Sequence, residues 1–238
     1  LKTRGIDTGM GLERLAMVVQ KKNNIFETDL FVNAFGFYYN IAAPEQEVNR
    51  IFMDHLRSCM FLISDGVRPS NKEGGYILRR LIRRVVTILN SHNLPTPNRH
   101  IVEAVGMLVD FYGVVYSDLK KNKEEILNVL GKEIETFSQT LTLGLNEFYR
   151  RYPKLRAQRL ESGKPIHIHQ PQIISGKDAF DLHQSFGFTL DILKDLGKDG
   201  LHRVDEKGFQ EEFKKHQELS RAGAEKKFGG HGLLLDTG

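Results

Sequence analysis

The sequence predicts a mainly α fold with small β elements near residues 1–8 and 165–174. Three observations support this fold class. Apolar residues recur at three- and four-residue intervals through most of the chain, which is the period of a helix that buries one face. Prolines and capping residues separate these stretches from one another, as they do at helix ends. Apolar and polar residues alternate in short segments such as 166–169, which is typical of a short strand.

The predicted helices follow in chain order from their boundary signals. A short helix over about 12–20 follows a glycine turn, and Pro44 suits the first position of a long helix that ends near residue 65. A turn at 69–71 then separates this helix from the next, which reaches about residue 90. The later predicted helices span about 97–112, 118–152, 175–185 and 206–227.

The longest predicted helix begins at Asp118 and ends at Tyr152. Ser117 suits its N-cap, and Pro153 stops it because proline lacks the N–H that a helix interior needs. Its apolar stripe is spaced for packing along another helix. The stripe comprises Ile126, Leu130, Ile134, Phe137, Leu141, Leu145 and Phe148. The polar and basic residues 154–164 that follow predict a loop or hinge.

The composition excludes several classes of protein. With 40% hydrophobic and 27% charged residues, the 238-residue chain resembles globular domains and not disordered segments. Its one cysteine, Cys59, excludes an internal disulfide and a cysteine-rich zinc site, and we expect it to be buried. No apolar run reaches the length of a membrane span. The chain starts at Leu1 without a signal peptide, so we expect a cytoplasmic piece of a longer protein.

Positive charge is concentrated in two clusters, although the formal net charge is only +4. The first comprises Arg68, Lys72, Arg79, Arg80, Arg83 and Arg84, with Glu73 as the one acid among them. The second comprises Arg150, Arg151, Lys154, Arg156, Arg159 and Lys164, with Glu147 and Glu161 nearby. Such clusters in a nearly neutral chain indicate phosphate-binding surfaces. Charge alone favours the alternative, which is a solvated helix face.

Residues 5–14 form a glycine-rich turn ahead of the first predicted helix. Gly9 and Gly11 let the backbone approach a ligand without a side-chain clash, and the helix N-terminus favours an anion. Arg14 lies one turn into the helix, where its guanidinium can contact phosphate or stack on a base. Asp7 can accept a hydrogen bond from a ligand ammonium. The alternative is a tight strand-to-helix connection with Arg14 in a surface ion pair.

The string Gly9-Met10-Gly11-Leu12-Glu13-Arg14 resembles the third signature motif of class II aminoacyl-tRNA synthetases. The longer string from Ile6 to Ala16 resembles the form of that motif in alanyl-tRNA synthetases. Further blocks agree with this family in order and spacing. They are 54–59 leading into 63–67, 69–71 before 75–84, and 175–180 before 186–188. Residues 92–165 match the family only in helical character.

The resemblance implies that the parent protein activates alanine with ATP and Mg²⁺ and transfers it to tRNA-Ala. In the family, the alanine carboxylate attacks the α-phosphorus of ATP in line, a step that depends on positioning and charge neutralisation. The resemblance implies that Arg14 and Gly11 bind ATP. It also implies that Asp7 holds the alanine ammonium and that Gly9 leaves room for a methyl-sized side chain.

The resemblance also implies that most of the active site lies outside this chain. The first two signature motifs would precede Leu1, and the editing domain with its zinc would follow Gly238. We therefore expect no catalytic residue, metal site or zinc here, and no adenylation by the chain alone. Residues 1–40 are assigned to the edge of the catalytic domain and 41–238 to a helical tRNA-recognition domain, with a candidate sub-boundary near 153–165. The alternative is a non-catalytic helical module that binds RNA or docks onto a protein.

The resemblance implies that six residues bind the acceptor stem of tRNA-Ala. They are Asn71, Arg79, Arg80, Arg83, Arg84 and Gln184. The resemblance implies neither DNA nor a membrane as a partner. The family has an asparagine at the position of Asn71 that reads a G·U wobble pair in the minor groove. On the opposite side of that pair it usually has an aspartate, where this chain has Gln184.

The four arginines, here called the arginine row, form like-charged pairs at i and i+4 on one helix. Such pairs are unfavourable without an anionic partner. RNA phosphates would supply one. The alternative partners are helix carbonyls or the carboxylates of Asp65 and Glu73.

Three histidines are candidates for other sites. His167 and His169 would share one face of a short strand, as two metal ligands do. Because no third ligand stands at a suitable spacing, solvent-facing histidines are the favoured interpretation. His55 lies on the inward side of its helix and is interpreted as a core histidine and not as a catalyst.

Overall fold

The computed structural model describes residues 5, 7–36, 46–91, 97–153, 155, 171–196 and 202–228. The chain divides into two compact units, Leu1–Gln139 and Thr140–Gly238. The division into a catalytic edge and a helical domain at residue 40 stays a prediction. Within the described helices, none combines the length and apolar content that crossing a bilayer requires.

The first unit is helical throughout its regular structure. Its elements are α1 (Leu12–Val19), a 3₁₀ turn (Ile25–Glu27), α2 (Asp29–Phe35), α3 (Gln46–Ser64), α4 (Glu73–Ser91), α5 (Pro97–Tyr112), α6 (Ser117–Lys121) and the first part of α7 (Lys123–Arg151). Helices α3, α4 and α5 pack against one another, and α2 packs on α5. Helix α4 shows why, because Leu78, Ile82, Val85 and Leu89 recur on one face and are each at most 1% exposed.

The structure confirms that two side chains of α3, those of Cys59 and His55, point inward as predicted. The Cys59 thiol is fully buried, and burial raises its pKa because the thiolate would lose its hydration. His55 is mostly buried as well, and its Nδ1 lies 3.0 Å from the Asp54 carboxylate. Both side chains therefore belong to the packing of the first unit. The predicted helix start at Pro44 lies outside the described residues.

The predicted single helix over 118–152 is wrong at its start. Helix α6 ends at Lys121, and α7 begins two residues later. Between them, the Asn122 side chain donates hydrogen bonds to the backbone oxygen and Oγ of Ser64, at 3.1 and 3.2 Å. These bonds satisfy the end of α3 and interrupt the longer helix. The N-cap of α6 is Tyr116 and not Ser117.

The second unit contains the last part of α7 and the rest of the regular structure. Its other elements are β1 (Gln172–Ile174), α8 (Gly176–Phe186), α9 (Leu190–Asp195), β2 (His202–Val204) and α10 (Glu206–Phe228). The strands pair in parallel, with Ile173 opposite Arg203. Ser175 caps α8 as predicted, since its Oγ accepts from the Asp178 N–H at 3.1 Å.

The β predictions are correct only in part. Strand β1 lies within the predicted region 165–174, but residues 166–169, including His167 and His169, lie outside the described residues. Near the N-terminus, residues 5, 7 and 8 are described and are not in a strand. Sequence analysis missed β2, α2, α9 and the 3₁₀ turn, which are three to seven residues long. Elements this short carry too few residues to show a period.

The core of the second unit is aromatic. The Phe148 ring packs 5.7 Å from the His202 ring, measured between centroids. The His202 Nε2 lies 2.8 Å from the Leu193 carbonyl oxygen, which it can reach as a donor. Burial lowers the pKa of His202 because the imidazolium would be desolvated, although this bond opposes the shift. Phe188 is fully buried and faces α7 at Gly144, where a Cβ would stand 2.6 Å from the ring.

Candidate functional site

The glycine-rich turn leads into α1 as an exposed segment. Gly11 is the N-cap of α1 and has an extended backbone, with φ −64° and ψ 119°. The side chains of Asp7 and Arg14 are exposed. A Cβ built at Gly9 would meet no described atom within 4 Å, so the described residues leave space beside this position.

Two of the predicted nucleotide-binding residues border one cleft in the first unit. This cleft of about 660 Å³ has Gly11 and Arg14 in its wall, together with Asp54, Arg57 and side chains from α3 and α4. Asp7 and Gly9, the predicted alanine-binding residues, do not line it. The structure thus places the two predicted ATP-binding residues beside one cleft and leaves the two predicted alanine-binding residues exposed to solvent.

Helix α1 has an uncovered apolar side. Leu12, Leu15, Val18 and Val19 are between 45% and 70% exposed, and no residue of α1 is buried. A group of exposed aliphatic side chains on one short helix is typical of a face that another surface covers. Within the described part of the chain, no element covers it.

A half-buried ion pair ties α1 to α3. The Arg57 guanidinium donates to the Glu13 carboxylate, and this bond lowers the pKa of Glu13. The same guanidinium lies over the rings of Phe31 and Tyr112, with 5.2 and 5.4 Å to the ring centroids. Since Glu13 precedes Arg14 directly, this pair fixes the part of α1 that carries the predicted phosphate contact. Sequence analysis did not assign a role to Arg57 or Glu13.

The predicted base-reading residue, Asn71, lies in a tight turn before α4. The Ser70 N–H donates to the Gly75 carbonyl at 3.1 Å, and the Ser70 hydroxyl donates to the Lys72 carbonyl at 3.0 Å. A Cβ at Gly75 would stand 2.2 Å from the Ser70 Oγ and 2.4 Å from the Arg68 carbonyl oxygen. Glycine is therefore required at position 75 for the turn to close, and the turn leaves Asn71 exposed.

Two members of the arginine row meet a carboxylate that sequence analysis did not consider. Nε of Arg83 donates to Oε1 of Glu133 at 2.9 Å, and Nε of Arg79 lies 3.2 Å from the same oxygen. Glu133 is 8% exposed. The Arg83 guanidinium also lies 4.8 Å from the centroid of the Phe137 ring. Burial lowers the pKa of Arg83, and the Glu133 charge opposes that shift.

The arginine row is joined directly to Asn71. Arg79 donates from Nη1 to the Asn71 side-chain oxygen, and its Nη2 lies 3.5 Å from the Pro69 carbonyl oxygen. The other two members differ in exposure, since Arg80 is exposed and Arg84 is half-buried. The structure therefore joins Asn71 to Arg79, one member of the arginine row, within the first unit.

The signal that could have identified Glu133 is its place in the apolar stripe of α7. It follows Leu130 by three residues and precedes Phe137 by four, and both are fully buried. A carboxylate on a buried helix face needs a cationic partner, because an unpaired buried charge is costly. Which arginine supplies that partner is set by tertiary packing.

Gln184, the remaining predicted RNA contact, lies in the second unit. It is exposed on α8. Asp181, one turn earlier, is half-buried, and its carboxylate lies 3.5 Å from Nη1 of Arg151. The same Arg151 nitrogen donates to Asp178 at 2.8 Å. Asp181 is therefore held beside a cation of its own unit.

The second basic cluster is partly neutralised within the second unit. Arg150 and Arg151 both donate to Glu147, and together they lower its pKa to about 2. The other basic residues of this cluster lie outside the described residues. In the described ranges, no three histidine, cysteine, aspartate or glutamate side chains come together as metal ligands do.

Comparison with known proteins agrees with the motifs. The sequence profile of the family described as tRNA synthetases class II (A) matches residues 1–232. The chain is 37% identical over 226 residues to the alanine–tRNA ligase of Rickettsia rickettsii (strain Sheila Smith), a match covering 93% of this chain and 24% of that protein. It is 35% identical over 228 residues to the alanine–tRNA ligase of Xanthomonas axonopodis pv. citri (strain 306), covering 94% of this chain and 24% of that protein.

The chain thus spans about a quarter of the length of the curated relatives it matches. The resemblance inferred from the glycine turn and the later blocks is confirmed, and the range matched by the family profile includes residues 92–165, where no motif was identified. Because the family profile covers nearly the whole sequence, this chain belongs to the class II tRNA synthetases.

Proposed function

We propose that this chain is the tRNA-recognition part of an alanine–tRNA ligase. The parent would activate alanine with ATP and transfer it to tRNA-Ala in the cytoplasm, and this part would bind the acceptor stem. One observation carries the proposal: Arg79 of the arginine row is hydrogen-bonded to Asn71. The proposed phosphate-binding strip and the proposed base-reading amide are therefore adjacent at Arg79. That combination suits a nucleic-acid duplex, where phosphate contacts position the protein and base contacts specify the sequence.

The four arginines are proposed to contact phosphates of the stem. A planar guanidinium suits this role because its N–H groups match two phosphate oxygens at once. Asn71 is proposed to read a base pair in the minor groove. That groove is wide and shallow in A-form RNA, so a side chain on a turn can enter it.

The residues around α1 are proposed to complete the adenylation site of the parent. Arg14 and Gly11 would contact ATP, Asp7 the alanine ammonium, and Gly9 would leave space for the substrate methyl group. The uncovered apolar side of α1 supports this role, because a helix with no buried residue of its own needs another surface to hold it. ATP carries Mg²⁺, and we assign no magnesium or zinc ligand to this chain.

The proposal is tested by binding and by activity. We expect the isolated chain to bind a short RNA hairpin with the G·U-bearing stem at low salt. A DNA hairpin of the same sequence is the matched control and should bind more weakly, since it lacks A-form geometry and 2′-hydroxyls. We expect no alanine-dependent exchange of pyrophosphate into ATP. Failure to bind the RNA hairpin would overturn the proposed RNA role, and exchange by the isolated chain would overturn the expected inactivity.

Gln184 is expected to limit discrimination between stems. The guanine amino group is a minor-groove donor, and a carboxylate accepts from it more strongly than a neutral amide does. Gln184→Asp should therefore raise the preference for a G·U stem over a G·C stem by about tenfold, the value of one good base contact. The measurement is the ratio of the two dissociation constants.

Asp181→Asn is the control for that substitution. It should leave the ratio unchanged, because Asp181 lies beside Arg151. If Asp181→Asn abolished the preference and Gln184→Asp had no effect, the assignment of this helix would be shifted by one turn.

A further inference from the structure

The Glu133 carboxylate is the anchor of a chain of contacts that ends at Asn71. Glu133 is 8% exposed, and its Oε1 accepts a hydrogen bond from Nε of Arg83. Nε of Arg79 lies 3.2 Å from the same oxygen as an ion pair and makes no hydrogen bond to it. The Arg79 side chain is 24% exposed and the Arg83 side chain 17%. A charge this deeply buried is stable only in close contact with its partners, so Glu133 keeps both guanidinium groups beside it.

The Arg79 guanidinium transmits that constraint to the turn. The group is planar and rigid, so fixing Nε beside Glu133 also fixes the direction of Nη1. Nη1 donates to Asn71, and of the two polar atoms of the Asn71 amide only the oxygen can accept. The amide nitrogen is thereby turned away from Arg79. Asn71 itself is exposed on the turn.

We propose that Glu133 is a positioning residue for Asn71, acting through Arg79. It holds the amide in the orientation that presents donors, and in this way it sets which base pairs the chain prefers. This inference rests on the proposed function of Asn71 as a base reader. It assigns a specificity role to a buried residue of α7 that would touch no RNA.

The test compares two dissociation constants for each variant, one for a G·U stem and one for a G·C stem. Their ratio is independent of the fraction of folded protein, so a loss of stability alone does not change it. If the wild-type chain prefers the G·U stem about tenfold, Asn71→Ala should reduce the ratio to about one. Glu133→Gln should reduce it by about threefold or more, because the neutral amide holds the two arginines less firmly.

Glu135→Gln is the matched control for Glu133→Gln. It removes the same charge two residues away on the exposed side of α7, so the ratio should stay at the wild-type value. A second variant, Arg79→Lys, keeps the positive charge but replaces the fork with a single ammonium that cannot hold Glu133 and Asn71 together. It should lower the ratio as Glu133→Gln does, whereas Arg99→Lys on the exposed side of α5 should not.

The outcomes separate the two proposals. If Asn71→Ala leaves the ratio at its wild-type value, the base-reading function of Asn71 fails, and this inference fails with it. If Asn71→Ala removes the preference while Glu133→Gln and Arg79→Lys retain it, the function stands and the positioning role of Glu133 is overturned. A uniform loss of affinity for both stems in the Glu133 and Arg79 variants also overturns it, because a purely structural or phosphate-contact role gives that result.

Discussion

The affinity of this chain for an acceptor-stem RNA is expected to fall about fortyfold when monovalent salt is raised from about 50 to about 200 mM. The arginine row carries four positive charges, and the buried Glu133 offsets one of them. Neutralising about three phosphates releases the counterions condensed on them, which gives a log–log slope of about −2.7. Fluorescence anisotropy with a labelled hairpin at several salt concentrations measures this slope.

Single replacements in the arginine row identify which arginines cause the salt dependence of RNA binding. Arg80→Gln or Arg84→Gln should reduce the magnitude of the slope by about one and weaken G·U and G·C stems by the same factor. Arg99→Gln is the matched control, since Arg99 is a helical arginine outside the row that pairs with Glu103. Losses that depend on the base sequence, or a slope that does not change, would refute the phosphate contacts.

Gly144→Ala is expected to destabilise the second unit by about 1–3 kcal/mol. The new Cβ would stand 2.6 and 2.7 Å from two atoms of the Phe188 ring and 2.9 Å from the Phe186 Cβ. Phe188 is fully buried, so its ring has no free space into which to move. The chain has no tryptophan, and the urea midpoint followed by circular dichroism is therefore the suitable measurement.

Gly131→Ala, on the same helix, is expected to cause no loss of stability. A Cβ at Gly131 would meet nothing within 4 Å of the described residues. Alanine is favoured over glycine in a helix interior by about 1 kcal/mol, so this variant should be as stable as the wild type or more stable. If both variants were destabilised alike, the cause would be α7 itself and not the contact with Phe188.

The parts of the fold that sequence analysis predicted correctly are those governed by local rules. Helices α4 and α5 were expected because their apolar faces repeat over sixteen residues or more, and Ser175 was expected because capping depends on the next three residues. The break at Asn122 could not be foreseen in this way. Its partner, Ser64, lies 58 residues earlier, and only the packing of α3 brings the two together.

In the candidate site, too, sequence analysis predicted the features set by local sequence and missed those set by tertiary packing. Short motifs identified Arg14, Asn71 and the arginine row, because the spacing of such residues is recorded in the sequence itself. The groups that hold these residues in place are distant in the chain, since Arg57 is 44 residues from Glu13 and Arg83 is 50 residues from Glu133. Each of these pairs depends on the packing of two helices, and a single sequence does not reveal which helices are neighbours.

The burial of Cys59 makes the rate of thiol labelling a measure of local opening. It is the single thiol of the chain and is fully buried in α3 of the first unit. Alkylation requires the thiolate, which attacks the electrophilic reagent. Burial disfavours the thiolate and excludes the reagent, so the folded first unit protects this sulfur. Labelling must wait until α3 separates from its neighbours, and the labelling rate then measures how often that happens. Labelling of this natural side chain therefore reports the opening frequency of the helical unit that carries Asn71, with no added probe.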